Sequence, residues 1–318
     1  MSNLERGDYH VHVAEEMRVE DVISEAKAAG VASLGLIGRG LLLPELSNVA
    51  VLAQREGMEI RVGIEDSFVI DGDRRDFVFF DLDLKNKGIW EFYGQEAIRQ
   101  RSLRVLEIQE SFLKSKGFIL EPYDSFSSET MSGLHSGRVV EKAISLARVV
   151  CGDERNKELI ERLWSENGEE FRTQYKGSIY DGPNPSPKFV WWKYFAQGRE
   201  GCVPLSYDFF QANKAVKEAG GLCLFSIESD HDMEALKPLL TEYYGLIDGV
   251  MGWHGSRLVL GKNTVRWLRE RGKMILGGSD FNPKRNGEQN QWKIGTGKGD
   301  LYISPMRWSR ESHRYKKP

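Results

Sequence analysis

Cysteine is scarce in this chain, three among 318 residues. Cys151, Cys202 and Cys223 show no paired spacing of the kind that holds a zinc knuckle, and an odd number cannot staple itself completely. Buried, reduced thiols are therefore expected, which suits a reducing compartment. Charge of one sign is also lacking: 44 basic against 47 acidic residues leave a formal charge of −3, so any affinity for polyanions must be local. Long apolar runs are missing as well. Residues such as Arg39 and Glu45 interrupt each candidate well before the roughly 18 to 20 residues needed to cross a bilayer. The opening MSNLERGDYH has no apolar core of the secretory kind. A soluble, cytoplasmic protein without a membrane partner is the expectation.

Short apolar runs ending in glycine or polar residues alternate with amphipathic stretches, the pattern of parallel strands buried beneath helices. Strands are predicted at Asp8–Val13, Ala32–Ile37, Glu59–Glu65, Phe77–Leu84, Leu222–Ile227, Gly249–Trp253 and Lys273–Leu276. Arg18–Ala29 carries Val19, Val22, Ile23 and Ala26 on one stripe and stops at Gly30, while Asn263–Arg271 stops at Gly272. From Gln95–Gly117 to about Arg199 no strand is predicted, only helices, including Ser136–Val150 and Lys157–Phe171. Tyr180–Pro187 holds three prolines and a glycine and reads as a loop. The chain is thus expected to be one barrel over 1–318 with a helical cap inserted at 88–200.

The chemistry gathers at predicted strand ends. In Asp8-Tyr9-His10-Val11-His12, strict alternation puts Asp8, His10 and His12 on one face. Neutral imidazoles there suit a divalent transition ion. Glu65 closes the third strand after Gly63-Ile64, and Asp280 closes the last after Gly277-Gly278-Ser279, so His10, His12, Glu65 and Asp280 form a candidate set of two nitrogen and two oxygen ligands. Asp8 is a candidate for orienting an imidazole from behind.

These motifs resemble the PHP (polymerase and histidinol phosphatase) phosphoesterase family: D-x-H-x-H near the start, G-x-E after the third strand and G-G-S-D-F near the end. Leu134-His135, Ala219-Gly220-Gly221-Leu222, Leu246-Ile247-Asp248-Gly249-Val250 and Ile294-Gly295-Thr296-Gly297 extend the likeness over nearly the whole chain. The resemblance implies a distorted seven-stranded β/α (TIM-like) barrel, a site for up to three metal ions, and hydrolysis of phosphoesters of nucleotides or nucleic-acid ends.

Several positions depart from that pattern. Ile37-Gly38-Arg39 stands where the family has T-D-H, Ser226-Ile227-Glu228 where it has A-H-P, and Asp280-Phe281-Asn282 where it has D-x-H. The family's acidic ligand after H-x-H is missing, although Glu15 and Glu16 lie near. The resemblance thus leaves one metal position with His10, His12, Glu65 and Asp280, a second dismantled, and a third with Glu65 and His135. One zinc, manganese or iron ion is expected rather than three. Arg39 either holds phosphate or pairs with a carboxylate such as Glu65 or Glu15. His254, after the sixth strand, either touches the leaving group or phosphate, or packs beside Trp253. A metal-dependent phosphoesterase is the leading expectation. A barrel without catalysis, kept as a binding module, is the alternative, and amide hydrolysis a third possibility.

Weaker signals remain. The aromatic run Phe189–Phe195 either stacks nucleobases or anchors a cap. Within Glu228–Asp232, Asp230 or Asp232 either supplies a displaced ligand or caps the next helix. The basic segment Arg307–Lys317 either follows a phosphate backbone or is a solvated tail.

Overall fold

The computed structural model of the chain describes residues 6–13, 18–120, 139–178, 180–196, 198–203, 207–227, 230–253 and 260–279. The chain divides into two compact units, Met1–Gln95 with Tyr207–Pro318, and Glu96–Ser206. In chain order the elements are β1 (Arg6–His12), α1 (Val19–Ala28), β2 (Val31–Arg39), α2 (Val49–Glu56), β3 (Glu59–Ile70), β4 (Asp73–Phe80) and α3 (Lys87–Tyr93). Then follow α4 (Gln95–Ser115), α5 (Val139–Gly152), α6 (Lys157–Gln174) and α7 (Pro187–Tyr194). The first unit resumes with α8 (Phe209–Glu218), β5 (Leu222–Ser226), α9 (Asp230–Glu242), β6 (Gly249–Trp253), α10 (Lys262–Glu270) and β7 (Met274–Gly277).

The strands form one seven-stranded sheet in the order β1 to β7. It curls until the end of β7 meets β1, where the Ser279 N–H donates to Asp8 Oδ1 at 2.8 Å, giving a nearly closed α/β barrel. Tyr9, Ile37, Val78, Phe80, Met251 and Leu276 belong to the packed core that fills its interior. Each such side chain taken out of water contributes roughly 1.5 to 3 kcal/mol. On α1 the stripe Val19, Val22, Ile23 and Ala26 is buried as its spacing requires, and Gly30 turns the chain at φ 73°.

All seven apolar runs are strands, but one runs against the expected direction. β4 is antiparallel to both β3 and β5, while the other neighbouring pairs are parallel. The cause is local. β3 continues past Glu65 to Ile70, and Asp71-Gly72, with φ of 53° and 84°, turns it straight into β4. Asp-Gly between two strand-forming runs is a tight-hairpin signal.

The second unit is helical in its described residues, with its own core that includes Leu106, Leu113, Leu146, Phe171, Phe189 and Trp192. The expected insertion, 88–200, and this unit, Glu96–Ser206, differ mainly in α3, which belongs to the first unit. Ser186 caps α7 by accepting from the Phe189 N–H, with Pro187 in the first turn. Phe189, Trp192, Tyr194 and Phe195 are buried in that core and Trp191 is half-buried against it, so four of the five rings in the run serve packing.

No described helix is long and apolar enough to cross a membrane. The cysteine expectation needs one correction: Cys223 is buried and Cys151 half-buried, but Cys202 is exposed because it lies in an irregular segment beyond α7.

Candidate metal centre

The site starts from an irregularity in β1. Asp8 pairs with Leu34 and Val11 with Leu36, so Tyr9 and His10 together stand against the single residue Gly35. This is a β-bulge. It shifts the alternation, leaving Asp8 in register with the Leu34 face of β2 and His12 in register with Ile37 on the opposite, interior face. Simple alternation had placed Asp8 with the two histidines, and the bulge removes it from that series. The close approach demands glycine, since a Cβ on Gly35 would lie 2.5 Å from the Tyr9 carbonyl oxygen.

The bulge brings the two imidazoles together, with His10 Nε2 3.1 Å from His12 Nε2. Glu65 ends the parallel stretch of β3, and its Oε2 lies 3.5 Å from His12 Nε2. All three side chains are buried, and one ligand atom from each falls within 4.8 Å of the others. These separations fit a shared ion: two nitrogens about 2.0 to 2.1 Å from a tetrahedral metal stand about 3.3 Å apart. Two neutral imidazoles and a carboxylate make a donor set suited to zinc, manganese or iron(II).

Arg39 is the last residue of β2 and pairs in register with Glu65, so the two side chains leave the same face of neighbouring parallel strands. The Gly40 N–H donates to the Glu65 carbonyl at 2.8 Å, tying the end of β2 to the middle of β3. Arg39 is half-buried. Asp8 is fully buried, and its Oδ1 accepts from the backbone of Ser279 at 2.8 Å and of His10 at 3.4 Å. It fastens the closing strand to the histidine strand through the backbone. Gly278 makes that seam possible, because a Cβ there would sit 2.2 Å from the His10 nitrogen. Asp280, His135 and His254 lie outside the described residues, as do Glu15, Glu16, Asn282 and the basic segment from Arg307. The side chains of Asp230 and Asp232 lie outside them too.

One buried carboxylate escaped the sequence reading. Asp66, beside Glu65 but pointing to the outer face of the sheet, accepts on Oδ2 from the hydroxyls of Tyr93 (3.0 Å) and Tyr207 (2.6 Å). A single aspartate with its two tyrosines far away along the chain forms no motif. Its burial between Ile64 and Phe68 in an apolar strand was the available clue.

No family model matches the chain, and no curated protein matches it in sequence. Solved structures do. A candidate metal-dependent phosphoesterase from Bifidobacterium adolescentis superposes with a TM-score of 0.53 at 17% identity, over 95% of this chain and 96% of its own. An amidohydrolase from Chromobacterium violaceum, solved with bound sulfate and no metal, gives 0.59 at 17% identity, over 97% and 96%. At such identity the likeness establishes the barrel fold, not the reaction.

Proposed function

We propose that the chain is a metal-dependent hydrolase of phosphoric esters. One observation carries the reading: His10 Nε2, His12 Nε2 and Glu65 Oε2 converge where the parallel stretch of β3 ends, with Arg39 in register beside the carboxylate. His10, His12 and Glu65 would hold one divalent ion, with Asp280 as the expected fourth ligand. A bound ion supplies Lewis acidity toward a water and a phosphoryl oxygen. Arg39 would contribute what an arginine can, a permanent charge and a fork of donors able to hold a second phosphoryl oxygen. It cannot ligate a metal, so where the PHP pattern has a histidine for a second ion, one fixed cation takes over part of that ion's charge. His254 and His135 remain candidates for the rim and for a further ligand. Both structural neighbours are described as hydrolases, one of phosphoesters, and the other carries a sulfate, an anion of phosphate's shape and charge class. Within phosphoesters, the PHP resemblance points to a nucleotide or nucleic-acid end.

The rival reading is a binding module without turnover, favoured by Arg39 and Ile227 standing where the pattern has histidines. Hydrolysis of bis(p-nitrophenyl) phosphate with added manganese separates the two. Turnover that disappears in His12→Ala supports the enzyme. Binding of phosphate without turnover under any divalent metal supports the module.

A further inference from the structure

We infer that Asp66 is a positioning residue: together with Tyr93 and Tyr207 it fixes the end of β2 that carries Arg39 and the stretch of β3 that carries Glu65. The inference rests on the preceding reading only in taking Glu65 as a metal ligand.

Asp66 is 2% exposed on the outer face of β3, paired with Phe77, while Glu65 pairs with Val78 on the inner face. An ionised carboxylate withdrawn from water is expensive unless donors meet it. Here the Ser67 N–H donates to Oδ1 at 2.8 Å, and two phenols donate to Oδ2. Packing alone does not ask for this, because Ile64 and Phe68, on either side in the same strand, fill the outer layer with apolar groups. What the carboxylate adds is direction: the two phenols, which come from outside the strand, hold the backbone of β3 at one rotation, one residue from Glu65, while the Ser67 N–H fixes the carboxylate's own orientation.

The same tyrosine reaches the other strand. The Tyr93 carbonyl accepts from the Leu42 N–H at 2.7 Å, and Leu42 forms a bridge with Gly94. Leu42 follows Arg39 by three residues, and Gly40 is already bonded to Glu65. Tyr93 therefore touches the Glu65 strand through its hydroxyl and the Arg39 strand through its carbonyl. Tyr207 braces it, ring against ring at 5.9 Å and 85°, with Phe92 edge-on to both. Tyr93 lies three residues before the helical unit, which starts at Glu96, and Tyr207 is the first residue after it. Both chain crossings are thus anchored on the carboxylate behind the candidate ligand.

Ligand orientation is set by the groups behind it, and their loss weakens metal sites by roughly 10- to 100-fold. The test uses the full chain as wild type, Asp66→Asn, the Tyr93→Phe/Tyr207→Phe pair, and the milder Tyr207→Phe alone in case the others fold poorly. Hydrogen exchange is followed without metal, and manganese affinity by calorimetry well below the melting temperature. Exchange should rise about tenfold at residues 38–42 and 64–67 and stay unchanged in β5 and β6, with manganese bound roughly tenfold more weakly. Unchanged exchange in both segments overturns the inference, as does manganese affinity equal to wild type. Exchange that rises throughout the barrel makes Asp66 a general stability residue and overturns it too. If wild type binds no manganese, the metal reading fails separately, and the exchange pattern alone decides whether Asp66 fixes these two segments.

Discussion

Arg39 and Glu65 leave adjacent positions of β2 and β3 with opposite charges, so the division of labour between them is testable one residue at a time. Arg39→Met removes the cation and keeps most of the stem. It should lower kcat/KM on a phosphodiester roughly a hundredfold, the scale of one contact to developing charge, with the metal content unchanged. A loss of metal together with activity would instead assign Arg39 to shaping the ligand set. The thiols give an independent check of burial. Burial pushes the Cys151 thiol up to about 12, and desolvation with the nearby Asp248 raises Cys223 well above its ordinary value. Both then stay protonated in the folded chain and ionise in the unfolded chain above about 8.5, so their contribution to stability falls as pH rises through that value. At pH 8, Ellman's reagent should titrate Cys202 in the native protein and reach the other two only in denaturant. At this scale the sequence was partly legible. The H-x-H and G-x-E signatures named the three converging residues, whereas Asp66 stayed hidden because its partners are brought to it only by the folded chain.

Among the elements, the bulge in β1 and the seam between β7 and β1 decide whether the imidazoles meet. Both depend on glycines pressed against backbone, which cannot move aside. Gly35→Ala would set a Cβ 2.5 Å from the Tyr9 carbonyl, and Gly278→Ala would set one 2.2 Å from the His10 nitrogen. Each should cost about 1 to 3 kcal/mol, the usual range for overpacking, and should lower the metal content. Gly245→Ala, with nothing within 4 Å, is the control expected to retain both melting temperature and metal. Equal metal content in all three variants would show that strand geometry does not govern the site. The seven strands were readable because buried strands are short apolar runs bounded by polar or glycine punctuation. The direction of β4 was not, since an apolar run reads the same in either direction. Asp71-Gly72 held the missing information, and the bulge had no such marker because two residues opposing one is a property of pairing rather than of either strand.

On the scale of the whole chain, two units with separate cores are joined by two crossings. Tyr93 and Tyr207 lie in ring contact, so a short glycine-serine linker in place of residues 96–206 can span the gap. The shortened chain should unfold cooperatively with a mixed α/β circular dichroism spectrum. Aggregation or a gradual melt would show that the barrel depends on the helical unit. The helical character of the described residues of the middle segment was legible from its long polar-apolar periodicity. The aromatic run of α7 was ambiguous by nature, because the rings that stack on bases are also those that fill a helical core.

The central claim is that His10, His12 and Glu65 hold a metal ion, and metal content measures it most directly. Untagged protein loaded with zinc or manganese, dialysed and assayed by inductively coupled plasma mass spectrometry, should carry about one ion per chain. Glu65→Gln and His12→Ala should each fall well below that while keeping the wild-type fold. Less than about half an ion in wild type, or an undiminished ion in both variants, would contradict the account.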